Sequence, residues 1–207
     1  MPRRCLSLVL NVLIFIVVLA AWGRMAFRLD GNGVLSATGL WSLRYFTVLS
    51  NLLQGAASLA YAACLAHALR GGRGVPHGVA LLKYAGTVSV GLTFLTVVLF
   101  LGPVFGYPGM FRGANFWFHL AVPLAAALDF CLLDREGTFS LRESPLAVLP
   151  MALYGAGYVG NIARHGVAGN DWYGFLAGGP GWGAVIAAVI LFGTWGLALL
   201  LRLPRRR

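Results

Sequence analysis

Six apolar stretches, each long enough to cross a bilayer, fill almost the whole of this 207-residue chain and leave no room for a separate soluble domain. A bilayer is crossed by roughly 17–25 helical residues. Stretches of that length run over about 5–27, 43–69, 80–101, 114–133, 145–163 and 182–201. The fifth is the least regular, because it carries Pro150, Gly155, Gly157 and Gly160. The expectation is an all-α, polytopic transmembrane bundle of six helices forming one domain over residues 1–207. Composition agrees: 11% of residues are charged and the mean hydropathy is +0.79, against about 25% charged for an ordinary soluble domain.

Basic residues assign the sides. With Arg3 and Arg4 placed in the cytoplasm, as the positive-inside rule directs, eleven of the sixteen basic residues fall inside, Lys83, Arg135 and the tail Arg205 to Arg207 among them. Arg24, Arg28, Arg44, Arg112 and Arg164 are left at outer ends. Six spans return the C-terminus to the side of the N-terminus, so both termini are expected in the cytoplasm and the chain in the plasma membrane. A net charge of +10 would suggest nucleic acid as the partner of a soluble protein. Here it lies where anionic headgroups lie, so membrane lipids are the expected partners and nucleic acid is not. The Arg-rich tail reads as a topology anchor.

Met1 to Met25 starts basic and turns apolar like a secretory signal, but its core is long and Trp22-Gly23-Arg24 makes a poor cleavage site. It is read as a retained first helix. Cys5, Cys64 and Cys131 all project toward cytoplasmic ends, where disulfides are rare, and no two have metal-motif spacing. No metal cluster, phosphate loop or dinucleotide fingerprint occurs in the sequence, so no cofactor is expected. The long outer segments 28–42 and 164–181 carry Asp30 and Asp171 and are candidate lids.

Polar residues inside the spans need a reason, since lipid excludes them. On the second span Thr47, Ser50, Asn51 and Gln54 recur at three- and four-residue steps and form one helical stripe. Such a stripe faces the bundle interior, either bonding neighbouring helices or lining a cavity. On the fourth span Asn115 and His119 lie one turn apart, and Pro123 cannot donate to the His119 carbonyl, which predicts a local break there. Both spans enter from the outer face, and a rise of about 1.5 Å per residue puts Thr47 and His119 at similar depth. A hydroxyl beside an imidazole is the minimum of an activated nucleophile.

What would orient His119 stays open. Asp129 is ten residues further, about 15 Å deeper, and reads as the partner of a basic loop residue. Asp30 or Asp171 folding in, an amide such as Asn51, Asn115 or Asn161, or a backbone carbonyl each fits. Ser50, Asn51 and Asn161 are candidate donors to an oxyanion. Arg44 or Arg164 is a candidate partner for a carboxylate or phosphate head.

The chain resembles the six-span membrane proteins related to the animal androgen-induced protein, whose bacterial members are described as predicted six-transmembrane proteins. The resemblance is carried by Tyr45-Phe46-Thr47 with Ser50-Asn51-Leu52, by His119 with Pro123 and Asp129, and by Trp172-Tyr173-Gly174-Phe175-Leu176. Where the family has a proline-rich Tyr-Pro pattern and a following Asp, this chain has Ala177-Gly178. The resemblance implies an intramembrane hydrolase of esters of hydroxylated fatty acids, with a threonine nucleophile and a histidine. Those roles would fall on Thr47 and His119. The alternative is a non-catalytic membrane regulator or small-solute carrier whose polar stripes serve packing or permeation.

Overall fold

The computed structural model describes residues 2–27, 29 and 39–205. Every regular element among them is helical, and six helices are long and apolar enough to cross a membrane. They are α1 (Pro2–Ala26), α2 (Phe46–Leu69), α3 (His77–Phe105), α4 (Ala114–Leu133), α5 (Leu141–His165) and α6 (Pro180–Arg205). Local chemistry sets the starts. Ser140 and Glu143 form a reciprocal capping box across the 3-10 turn Leu141–Glu143 that opens α5, Pro145 stands in the first turn of its α-helical part, Ser144–His165, and Pro180 opens α6 after Gly179 at φ 88°. Proline at these positions gives up only an amide that has no helical partner.

Both described termini lie at one end of the bundle. Arg4 pairs with Glu136 at 2.7 Å, and the Phe139 amide donates to the Arg205 carbonyl at 2.8 Å. The α3–α4 connection, the α5–α6 connection and the start of α2 therefore share the opposite end.

Helix α3 is the hub. It packs against α2, α4, α5 and α6, and residues 83–90 are buried without interruption. It comes close to α2 at Gly86, where an added Cβ would stand 3.2 Å from Gln54 Cα. Glycine lets two transmembrane backbones come that near. Helix α6 is peripheral, and within its α-helical part only Thr194 and Ala198 are buried. Phe192, Leu200, Val159, Leu13 and Leu6 are all more than half or about half exposed, a surface suited to acyl chains rather than water.

Helix α4 departs from regular α geometry twice. Residues Trp117–Ala121 and Asp129–Leu133 form π-helical turns, closed by Val122 N–H to Trp117 O and by Asp134 N–H to Asp129 O. The first lies just ahead of Pro123, so the break expected at His119 is accommodated as a widened turn. Single π turns recur at functional positions. Here one holds His119 and the other Asp129.

Candidate functional site

The first turn of α2 is clamped from outside its own helix. Tyr45 precedes α2 in extended conformation and offers no side-chain cap, so the Phe46 amide instead donates to the Tyr173 hydroxyl at 2.8 Å. Tyr154 of α5 donates to the Arg44 carbonyl at 2.6 Å, and the Trp172 indole donates to Tyr154 at 3.2 Å. The Arg44 guanidinium lies 5.1 Å from the Tyr45 ring centre and 5.7 Å from that of Trp172, an arrangement favoured by the ring quadrupole. Burial pushes the Tyr173 phenol well above its ordinary pKa. It acts there as a neutral hydroxyl.

Asp171 builds the loop that carries these aromatics. Its carboxylate accepts the amides of Phe175 at 2.9 Å and Leu176 at 2.8 Å, and the Tyr158 hydroxyl. Burial alone would raise its pKa. The bonds from Tyr158, Leu176, Phe175 and Gly174 outweigh that and hold the carboxyl below its ordinary value. Asp171 is thus committed to its own loop, and Asp30 lies outside the described residues.

The polar stripe of α2 faces inward and does two jobs. Asn51 donates to the Thr47 carbonyl at 2.7 Å and across to the Phe118 carbonyl of α4 at 3.2 Å. Ser50 bonds the Thr47 carbonyl at 3.1 Å and Thr93 of α3 at 3.0 Å. These bonds tie α2 to α3 and α4. The Thr47 side chain makes no hydrogen bond among the described residues, and the residue is only partly buried.

His119 is 2% exposed, and its Nδ1 lies 2.7 Å from the carbonyl oxygen of Met110. A carbonyl only accepts, so Nδ1 carries the hydrogen and the neutral ring keeps its lone pair on Nε2. Met110 ends the short helical turn Tyr107–Met110 between α3 and α4. Of the partners open from sequence, the backbone carbonyl is the one used.

No hydrogen bond joins Thr47 to His119. The Asn51–Phe118 bond sets their relative level: Thr47 is four residues outward of Asn51 and His119 is one residue inward of Phe118, so the two stand on neighbouring helices about five residues apart along the bundle, ~7.5 Å of rise. Asn115 is 3% exposed, and its Oδ1 has no hydrogen-bond partner. Asn161, a candidate oxyanion donor, bonds Asn170 at 3.1 Å in the α5–α6 loop. Arg164 is exposed.

A crevice of about 390 Å³ opens between α1 and the start of α4, lined by Val17, Ala20, Ala21, Arg24, Gly113 and Trp117. Neither Thr47 nor His119 lines it. Behind Ala21, the cluster of Tyr45, Val48, Ala114 and Phe118 forms an apolar wall.

Sequence reasoning missed a second polar centre near the termini end. Lys83, counted as a cytoplasmic charge, is fully buried within α3 and pairs with Asp129 and, at 3.2 Å, with Asp134. Arg205, read as part of a topology anchor, is 3% exposed and reaches Asp134 at 3.2 Å and the carbonyls of Gly137, Phe130 and Asp134. The available signal was balance: a lone lysine and a lone aspartate inside apolar runs compensate each other at lowest cost when paired.

No family model, no curated protein and no solved structure matches this chain.

Proposed function

We propose that this chain is an intramembrane hydrolase of lipid esters, with Thr47 as nucleophile and His119 as base. The observation that carries the reading is the His119–Met110 bond, which directs the Nδ1 hydrogen to a carbonyl and leaves a lone pair on Nε2 of a buried ring, on a helix bonded to α2 at Asn51, one turn from Thr47. Thr47 Oγ1 attacks the ester carbonyl carbon while its proton passes to Nε2. The imidazolium returns that proton to the leaving alkoxide, and water then releases the acid from Thr47. Closing the separation is the work of substrate binding, since catalytic contacts are commonly long in a free enzyme.

Asn51 and Asn115, each with a buried Oδ1 lacking a partner, stand beside this pair, and Ser50 and Arg44 support the α2 end of the site. The resemblance to the androgen-induced protein family supports the same two roles. In this reading the termini end faces the cytoplasm, the site lies near the outer leaflet of the plasma membrane, and substrate enters from lipid.

Purified protein is predicted to be labelled by a fluorophosphonate probe. Thr47→Ala should abolish labelling and His119→Ala should slow it by roughly 10²–10⁴. Labelling that persists unchanged in both variants rejects the proposal. The alternative, a non-catalytic regulator or carrier, draws on the buried charges of Lys83 and Asp129. It predicts no turnover of any lipid ester by wild-type protein.

A further inference from the structure

The proposed hydrolase leaves the centre around Lys83 unused, and its hydrogen bonds do not balance. The Lys83 ammonium is fully spent: it donates to Asp129 Oδ2 and Asp134 Oδ2, and lies 3.4 Å from the Tyr61 ring centre. Asp134 is equally well served, by Tyr61 at 2.5 Å, the Glu136 amide at 2.9 Å, Lys83 and Arg205. Asp129 Oδ2 also accepts from Asn11 Nδ2 at 2.7 Å, and that amide donates as well to the Ser7 carbonyl at 2.8 Å.

Two acceptors remain. Asp129 Oδ1 and Asn11 Oδ1 have no partner, although both residues are 0% exposed and touch each other. An unsatisfied buried polar atom costs about 1–3 kcal/mol, and the one buried donor of this centre without a hydrogen bond among the described residues, Arg205 Nη2, lies against Asp134 rather than Asp129. A proton on Asp129 Oδ1 converts an orphan acceptor into a donor beside Asn11.

We propose that Asp129 is an intramembrane proton-binding site, loaded from the termini end through Lys83. In the transfer an N–H bond of the ammonium breaks, its electron pair stays on Nζ, and an O–H bond forms on Asp129 Oδ2, the oxygen Lys83 touches; a half-turn of the carboxyl about Cβ–Cγ then carries the O–H to the position of Oδ1. The neutral amine then takes a proton from hydronium arriving from the termini end, where Arg4 pairs with Glu136, and water is left behind. The groups facing Asp129 are Asn11 from α1, Tyr61 from α2, Lys83 from α3, Asp134 after α4, and Arg205. With both carboxylates ionised the two cations are balanced. The bound proton leaves one net positive charge.

Asp129→Asn reproduces the charge of the loaded state and is expected to fold. The test is infrared difference spectroscopy of purified protein in lipid nanodiscs, acidified from neutral pH in H2O and in D2O. The chain has six acidic residues, which makes assignment by variant tractable. Acidification is expected to raise a carboxylic-acid C=O band that shifts in D2O, is lost in Asp129→Asn and survives in Glu136→Gln. Absence of the band from wild type, or its persistence in Asp129→Asn, overturns the proposal. Should Asp129→Asn yield no folded protein, Asp129→Glu decides: a band that moves in position supports the assignment, and one that stays overturns it. None of these outcomes depends on turnover at Thr47.

Discussion

Phe46 and Tyr173 are 127 residues apart in sequence, and the amide of one donates to the hydroxyl of the other at 2.8 Å. The bond joins two short sequence motifs, Tyr45-Phe46-Thr47 and Trp172-Tyr173-Gly174. It makes the α5–α6 loop a part of the first turn of α2, next to Thr47.

Tyr173→Phe removes that acceptor and keeps the ring. The loss should be about 1 kcal/mol, the usual net worth of one hydrogen bond, read as a lower midpoint of thermal unfolding in detergent. A variant with wild-type stability would show that the Phe46 amide finds water instead.

The loop should also be pH-sensitive through Asp171. Its folded pKa is depressed, so its stabilisation is present above the unfolded value of about 3.9 and is lost as pH falls through the lower, folded value. Trp172 fluorescence should report the loop opening in strong acid. Asp171→Asn should remove that transition and loosen the loop already at neutral pH.

Charge balance gives a comparison of single and double variants. Lys83→Met strands Asp129 and is expected to cost about 3–5 kcal/mol, as removal of one buried partner does. Lys83→Met with Asp129→Leu leaves Asp134 and Arg205 paired, and should recover most of that loss. Equal destabilisation of the two would mean that the surrounding packing, not the pairing, depends on Lys83.

Gly86 offers a steric test of the α2–α3 approach. A leucine there meets the Gln54 backbone as well as its side chain, and overpacking of this kind costs typically about 1–3 kcal/mol. Thermal unfolding of Gly86→Leu should show it. Gly160→Leu, at a site with nothing within 4 Å, should leave stability near wild type.

The six spans were legible because apolar runs stand out against charged loops, and their limits differ from the helices by a few residues. One such difference hid Lys83: α3 begins at His77, so a residue placed near a span boundary lies almost two turns inside. Asn51 was legible as an inward amide because the stripe has helical period, yet its acceptor is a backbone carbonyl, which any residue supplies. The same holds for Met110, whose carbonyl orients His119 and whose side chain gives no sign of it. Asn161 looked available because its use by Asn170 depends on how the α5–α6 loop turns back.

The bonds of Arg205 bear on how the molecule is made. Arg205 follows Asp134 by 71 residues, so during synthesis α1 to α4 are complete while Lys83 alone faces two aspartates. Until α6 has been delivered, Asp134 lacks the guanidinium that reaches it at 3.2 Å. Loosely packed as it is, the last helix brings the cation that neutralises its predecessors, and assembly of the charged centre becomes a measure of how far translation has gone.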